Sequence, residues 1–124
     1  MKLPAVVERY IAAYNAMDVE AMLACLTSDV HFQNISAGET NAETHGKAQF
    51  EELARLGAAA FSSRRQTVVR CINVAGRTMA EVEFEAVVAA DLPNGWKAGQ
   101  KLAFSGVSYF EIRDGAIARI VDES

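Results

Sequence analysis

From Glu81 to Val88 the chain alternates with a period of two. Val82, Phe84, Ala86 and Val88 fall on one face of an extended backbone, and Glu81, Glu83 and Glu85 on the other. A β-strand separates neighbours in this way. It must have one dry face and one wet face, because three carboxylates on a buried face would each carry a large desolvation cost. The glutamate row is therefore expected toward solvent or a partner copy. Such a strand needs hydrogen-bonding neighbours, and the flanking sequence supplies them. Val68, Ile72 and Val74 lead into a turn at Ala75-Gly76-Arg77, and Pro93-Asn94-Gly95 is a strong turn signal. Leu102 to Arg113 reads as a long strand, Asp114-Gly115 as a tight hairpin turn, and Ala116 to Asp122 as a closing strand. The second half of the chain is thus four strands joined by hairpins, and hairpin neighbours are antiparallel.

The first half has a different period. Leu3, Val6, Val7, Tyr10, Tyr14 and Met17 recur at steps of three and four, which predicts an amphipathic helix from about 4 to 17, with Pro4 in its first turn. Asp18 can cap a second short helix, Val19 to about Leu26. Thr27-Ser28-Asp29 breaks it before a strand at 30–34. Residues 35–44, rich in Ser, Gly, Asn and Thr, read as a loop. Lys47 to Ala60 is helical again, with Phe50, Leu53, Leu56 and Ala60 on its stripe. Helices followed by strands, without strand–helix–strand alternation, indicate an α+β fold. The expectation is a curved, mostly antiparallel sheet wrapped around N-terminal helices, a cone with an internal pocket.

The length of 124 residues suits one domain, 1–124, with one core. A net charge of −4 argues against nucleic acid or an anionic membrane as partner. No apolar run approaches the roughly 20 residues that span a bilayer, and no secretory leader is evident, so a cytoplasmic protein is expected. Cys25 and Cys71 are read as reduced thiols rather than a disulfide framework. His31 and His45 are too few and too far apart in sequence to suggest a metal site, and His45 is expected at the surface.

Candidate site residues follow from the faces. Phe32 and Asn34 share one face of the first strand, His31 and Gln33 the other; an amide beside an aromatic ring is a natural lining for a small pocket. On the closing strand Ala118, Ile120 and Asp122 share a face. If that face is interior, desolvation raises the Asp122 pKa and makes the carboxyl group a usable acid or base. Asn34 could then orient a water or a ligand oxygen for it. Tyr10 and Tyr14, four apart on the apolar stripe, stack toward the sheet as core or as hydrogen-bond donors. Ser108 and Phe110 share the interior face of the long strand. Trp96 is expected at a surface or an interface, or as a lid.

These elements resemble the nuclear-transport-factor-2-like superfamily, which includes SnoaL-like polyketide cyclases, ketosteroid isomerases and limonene-type epoxide hydrolases. The resemblance rests on the run from Arg9 to Asp18, Ser28-Asp29-Val30, His45-Gly46-Lys47, and Asp114-Gly115-Ala116-Ile117. It implies the cone fold, a homodimer through the outer sheet face, and a pocket for a small apolar molecule. Tyr10 falls where the isomerases place the tyrosine of their oxyanion hole. Asn34 stands in place of their carboxylate base, and Ser108 in place of their protonated Asp. Phe32-Gln33-Asn34 is similar to the Tyr-Gln-Asn of the epoxide hydrolases, without the tyrosine hydroxyl. Asp122 falls at their base aspartate, and their remaining Arg and Asp have no counterpart among Glu81 to Glu85. The resemblance therefore implies a cofactor-independent acid–base enzyme with Asp122, Asn34 and Tyr10 as catalytic candidates. Tyr14, Phe32, Ser108, Phe110 and Ile120 would be ligand contacts. The competing expectation is a non-catalytic ligand-binding or dimerisation domain of the same fold.

Overall fold

The computed structural model describes residues 2–124. Its elements are α1 (Ala5–Asn15), α2 (Val19–Leu23), β1 (Leu26–Ser36), β2 (Glu39–His45), α3 (Lys47–Ala60), β3 (Phe61–Val74), β4 (Arg77–Val88), β5 (Lys101–Arg113) and β6 (Ala116–Glu123). The fold is α+β: a six-stranded sheet in the order β2-β1-β6-β5-β4-β3, open at both edges, with the helices on one face. Every neighbouring pair is antiparallel except β1 and β6, which run parallel. No helix is long and apolar enough to cross a membrane among the described residues.

Three hairpins use the same device. Ala37-Gly38, Ala75-Gly76 and Asp114-Gly115 each place two successive residues at positive φ, from 49° to 79°. This is the two-residue turn whose twist matches that of its flanking strands. Ala37-Gly38 joins β1 to β2, and here the sequence expectation is corrected: most of 35–44 is strand. Its inward residues, Ala42 and Thr44, are small or polar and its outward ones, Glu43 and His45, are charged or polar. An edge strand of this kind lacks the apolar alternation that marks a strand in sequence. α2 is likewise shorter than expected, since Leu26 already opens β1. Leu56, expected on the buried stripe of α3, is 68% exposed. The buried face follows Phe50, Leu53 and Ala54, and Leu56 lies well around the helix from it.

The core fills the space between helices and sheet. Val7 from α1, Val30 from β1, Phe110 from β5, and Ile117 and Ile120 from β6 are fully buried. Each such side chain contributes about 1.5–3 kcal/mol of transfer free energy. Tyr10 packs edge-on to Phe110 at 6.0 Å between ring centres, and Phe32 edge-on to Phe50 at 5.6 Å. The Asp18 carboxylate caps α2 by accepting from the Ala21 N–H at 3.0 Å. At the end of α1, Asn15 exchanges two hydrogen bonds with the backbone of Gln66, tying the helix to β3. Near the other end of α1, Asn73 of β3 donates to the Lys2 carbonyl at 2.8 Å.

Candidate active site

A cavity of about 450 Å³ lies between the helices and the inner face of the sheet. Small-molecule sites fall in this size range. Its apolar wall includes Phe32, Phe50, Phe61, Phe84, Trp96 and Phe104, and its polar groups include Tyr10, Asn34, Arg64, Gln66, Ser108 and Asp122. The alternation of β4 accounts for one wall: Val82 and Phe84 face the cavity, and Glu81, Glu83 and Glu85 face out, Glu81 pairing with Arg70 at 3.1 Å.

Strand pairing brings the two ends of the chain together. In the parallel β1–β6 ladder Asn34 stands opposite Asp122, and in the antiparallel β5–β6 ladder Asp122 stands opposite Ser108. All three line the cavity. The Ser108 hydroxyl donates to Asp122 Oδ1 at 2.7 Å. Burial pushes the Asp122 carboxyl up from its ordinary value to about 6, with the Ser108 hydrogen bond pulling the other way. Asn34 donates its amide to Asn41 Oδ1 at 2.8 Å rather than to Asp122. The end of β6 is held close: a Cβ on Gly106 of β5 would lie 2.6 Å from the Glu123 carbonyl oxygen, so only glycine lets the strands approach this far.

Two tyrosines face the same space from α1. Burial drives the Tyr10 phenol well above its ordinary value, with Asp122 adding to the shift. Burial likewise pushes Tyr14 up to about 12, against the opposing pull of Arg64. Both phenols therefore keep their protons at neutral pH and can donate them to a ligand oxygen. Arg64 of β3 lies over the Tyr14 ring, 3.7 Å from its centre, and donates Nε–H to the Tyr14 carbonyl at 3.0 Å.

Of the residues expected from sequence, Tyr10, Tyr14, Phe32, Asn34, Ser108 and Asp122 line the cavity. Phe110 and Ile120 do not: at 1% and 0% exposure they are core packed behind it. A shift in the β5–β6 pairing at Glu111/Ile112 also puts Ile117, rather than Ala118, in the core. Trp96 lines the cavity. Arg64 and Gln66 were not read from sequence. The signal was present, since a strand extended back to residue 61 turns alternate residues Arg64, Gln66 and Val68 inward and Arg65 outward.

The sequence separation of His31 and His45 is cancelled by the β1–β2 ladder, where they are direct partners. Their rings stack at 4.4 Å, and His31 Nε2 lies 2.6 Å from Glu43 Oε2. This trio can offer three ligand atoms within 4.8 Å of one another, contrary to the expectation from spacing alone. Its side chains are on the outer face, apart from the cavity.

The SnoaL-like domain family matches residues 7–120, more than nine-tenths of the chain. The chain belongs to this family. Its fold is that of the nuclear-transport-factor-2-like superfamily. A candidate polyketide cyclase from Pseudomonas putida is similar at 29% identity and a TM-score of 0.76, over 98% of this chain and 90% of that one. A protein of ketosteroid isomerase-like fold from Catenulispora acidiphila, solved with trimethylamine, superposes with a TM-score of 0.81 at 15% identity, over 98% and 85%. An epoxide hydrolase of the limonene type from M. tuberculosis gives 0.77 at 18% identity, over 97% and 80%. No curated protein matches the sequence. The family match ends two residues before Asp122, so what that carboxyl group does must be argued from its surroundings.

Proposed function

We propose that this SnoaL-like protein is a cofactor-independent acid–base enzyme that acts on a small, largely apolar carbonyl compound, with Asp122 as the proton-transfer group. The observation that carries the proposal is the half-buried Asp122 side chain, bonded to Ser108 in an aromatic cavity, where desolvation pushes its carboxyl up to about 6. A base titrating there is mostly ionised at neutral pH and still basic enough to accept a proton. The reaction class it suits is ring closure through an enolate, in keeping with the likeness to the candidate polyketide cyclase. Asp122 removes a proton from the carbon beside a ketone, and the enolate oxygen receives a hydrogen bond from the Tyr10 phenol. The enolate carbon attacks a second carbonyl of the same molecule, and protonated Asp122 returns its proton to the new alkoxide. Asn34, opposite Asp122 on the neighbouring strand, helps orient the substrate oxygen. Epoxide hydration fits less well, because the carboxylates of β4 face out.

The test is turnover of linear β-polyketone esters by the wild type and by Asp122→Asn. General base catalysis of this kind contributes about 10²- to 10⁴-fold. The variant is expected to lose turnover by that factor while retaining its circular dichroism spectrum. Equal turnover by the two proteins would remove Asp122 from the mechanism. Melting shifts with these esters but no product would favour the ligand-binding domain instead.

The same proposal includes a second copy of the chain on the outer sheet face. Ile72, Met79, Tyr109 and Val121 form one row across β3 to β6, with Ile72 67% and Met79 52% exposed. Rows of alternating charge flank it, Arg70–Glu81 on one side and Arg77–Glu111–Arg119 on the other. An apolar row between mixed charges can pair with its own two-fold image. Sedimentation should find a dimer that Met79→Glu converts to monomer; a wild-type monomer would end this part of the proposal.

A further inference from the structure

Arg64 is the one cationic group among the described residues that line the cavity, and the proton-transfer chemistry does not use it. It is 7% exposed. Arginine is almost never buried to this degree without a paired anion, because the desolvation of its charge must be offset. Among the described residues the charged and titratable groups acting on it are Tyr14 and Tyr10, and no carboxylate is among them. Its direct partners are the Tyr14 carbonyl, the Tyr14 ring and phenol and, weakly, Met22 Sδ at 3.9 Å from Nη2. A guanidinium carries five N–H donors, and these partners, all neutral, leave its charge without a counter-ion.

The surroundings fix where the guanidinium sits. Tyr14 beneath the guanidinium and the Tyr14 carbonyl at Nε hold the plane in one orientation. The absent side chain of Gly57 leaves room beside Nη1, which lies 3.6 Å from the place a Cβ would occupy. Arg64, Tyr14, Met22 and Gly57 all border the same cavity. Asp122 is not the missing counter-ion. Its ionisation is governed by burial and Ser108, whereas Tyr10 and Tyr14 respond to both Asp122 and Arg64. Asp122 is bonded to Ser108 and Arg64 to the Tyr14 carbonyl, and no ion pair joins the two among the described residues.

We infer that Arg64 is a binding subsite for a carboxylate borne by the substrate. The substrate class is then an apolar acid, with the carboxylate on the guanidinium fork, the body against the aromatic wall and the reacting carbon toward Asp122. The planar fork matches a carboxylate in a two-point hydrogen bond, and in a dry cavity that pair is worth more than in water. This deepens the reading of the cavity as a substrate site and rests on it.

The probes are 3-phenylpropanoate and its amide, equal in size and shape, titrated by calorimetry into the folded wild type, Arg64→Gln, Arg64→Lys and Asp122→Asn. The wild type is expected to bind the acid at least tenfold more tightly than the amide. The preference should vanish in Arg64→Gln, weaken in Arg64→Lys and persist in Asp122→Asn. If the Gln variant does not fold, nitrogen NMR on the wild type decides: the Arg64 Nε–H resonance should move with the acid and not with the amide. Equal binding of the two probes, failure of both to bind at millimolar concentration, or a preference surviving in Arg64→Gln overturns the inference. Binding is read without turnover, so an acid preference together with full turnover by Asp122→Asn would remove the proposed base and leave the Arg64 subsite standing.

Discussion

Two aspartates on adjacent strands show how differently one side chain behaves in the two environments of this sheet. Asp29 on β1 is exposed and accepts from the Thr27 hydroxyl at 2.8 Å and from Arg113 Nη2 at 2.6 Å. Those hydrogen bonds hold its carboxyl below the ordinary value. Asp122 on β6 accepts from Ser108, a comparably short bond, yet its carboxyl is pushed up to about 6. Hydrogen bonding lowers both; only Asp122 is taken out of water and left without a cation. Burial decides the sign, and a serine, being neutral, is too weak to reverse it.

Asparagine at the two sites sharpens this contrast. The largest effect is expected at Asp122. Its folded-state pKa lies above the unfolded value, so the native state binds the proton more tightly. Its contribution to stability is fully present below the unfolded value near 3.8 and is lost as pH rises through about 6. Asp122→Asn should therefore be more stable than the wild type at pH 8, by about 2–3 kcal/mol. The advantage should shrink to nothing as pH falls toward 4. Urea unfolding across that range measures it, and an advantage independent of pH would contradict the burial of the charge. Ser108→Ala should have a smaller effect. Removing the donor takes away the only influence that lowers the Asp122 pKa, so a carboxyl NMR titration should move to higher pH, with a stability loss of about 1 kcal/mol. Asp29→Asn should have the least: its partners are exposed, and the melting temperature and the Asp122 titration should both stay within error of the wild type.

The legible parts of the molecule were those with regular period. The β4 alternation, the α1 stripe, the Asp18 cap and the Asp114-Gly115 turn could be read because each is a local pattern with a local cause. β2 was not legible, since its inward residues are Ala and Thr and nothing in their hydropathy separates them from a loop. The meeting of Asn34 with Asp122 was inferred from resemblance, because a parallel ladder between distant segments leaves no mark in either one. Phe110 and Ile120 were assigned to the right face but the wrong depth; alternation tells in from out, not lining from core. Arg64 went unread because its strand was started too late, and the His31–His45 stack because its partner strand was taken for a loop.

The place of β6 has a consequence for how the chain is made. Without it the sheet is two separate pieces, the β2–β1 hairpin and the β5–β4–β3 meander, each with an unpaired edge. The residues that join them follow every other strand in the sequence, so vectorial synthesis cannot complete the sheet in order of appearance. Until Ala116–Glu123 emerges, the nascent protein carries two open strand edges, on β1 and β5, beyond the two that the finished sheet keeps. It is in this interval that the chain is most in need of a holding chaperone.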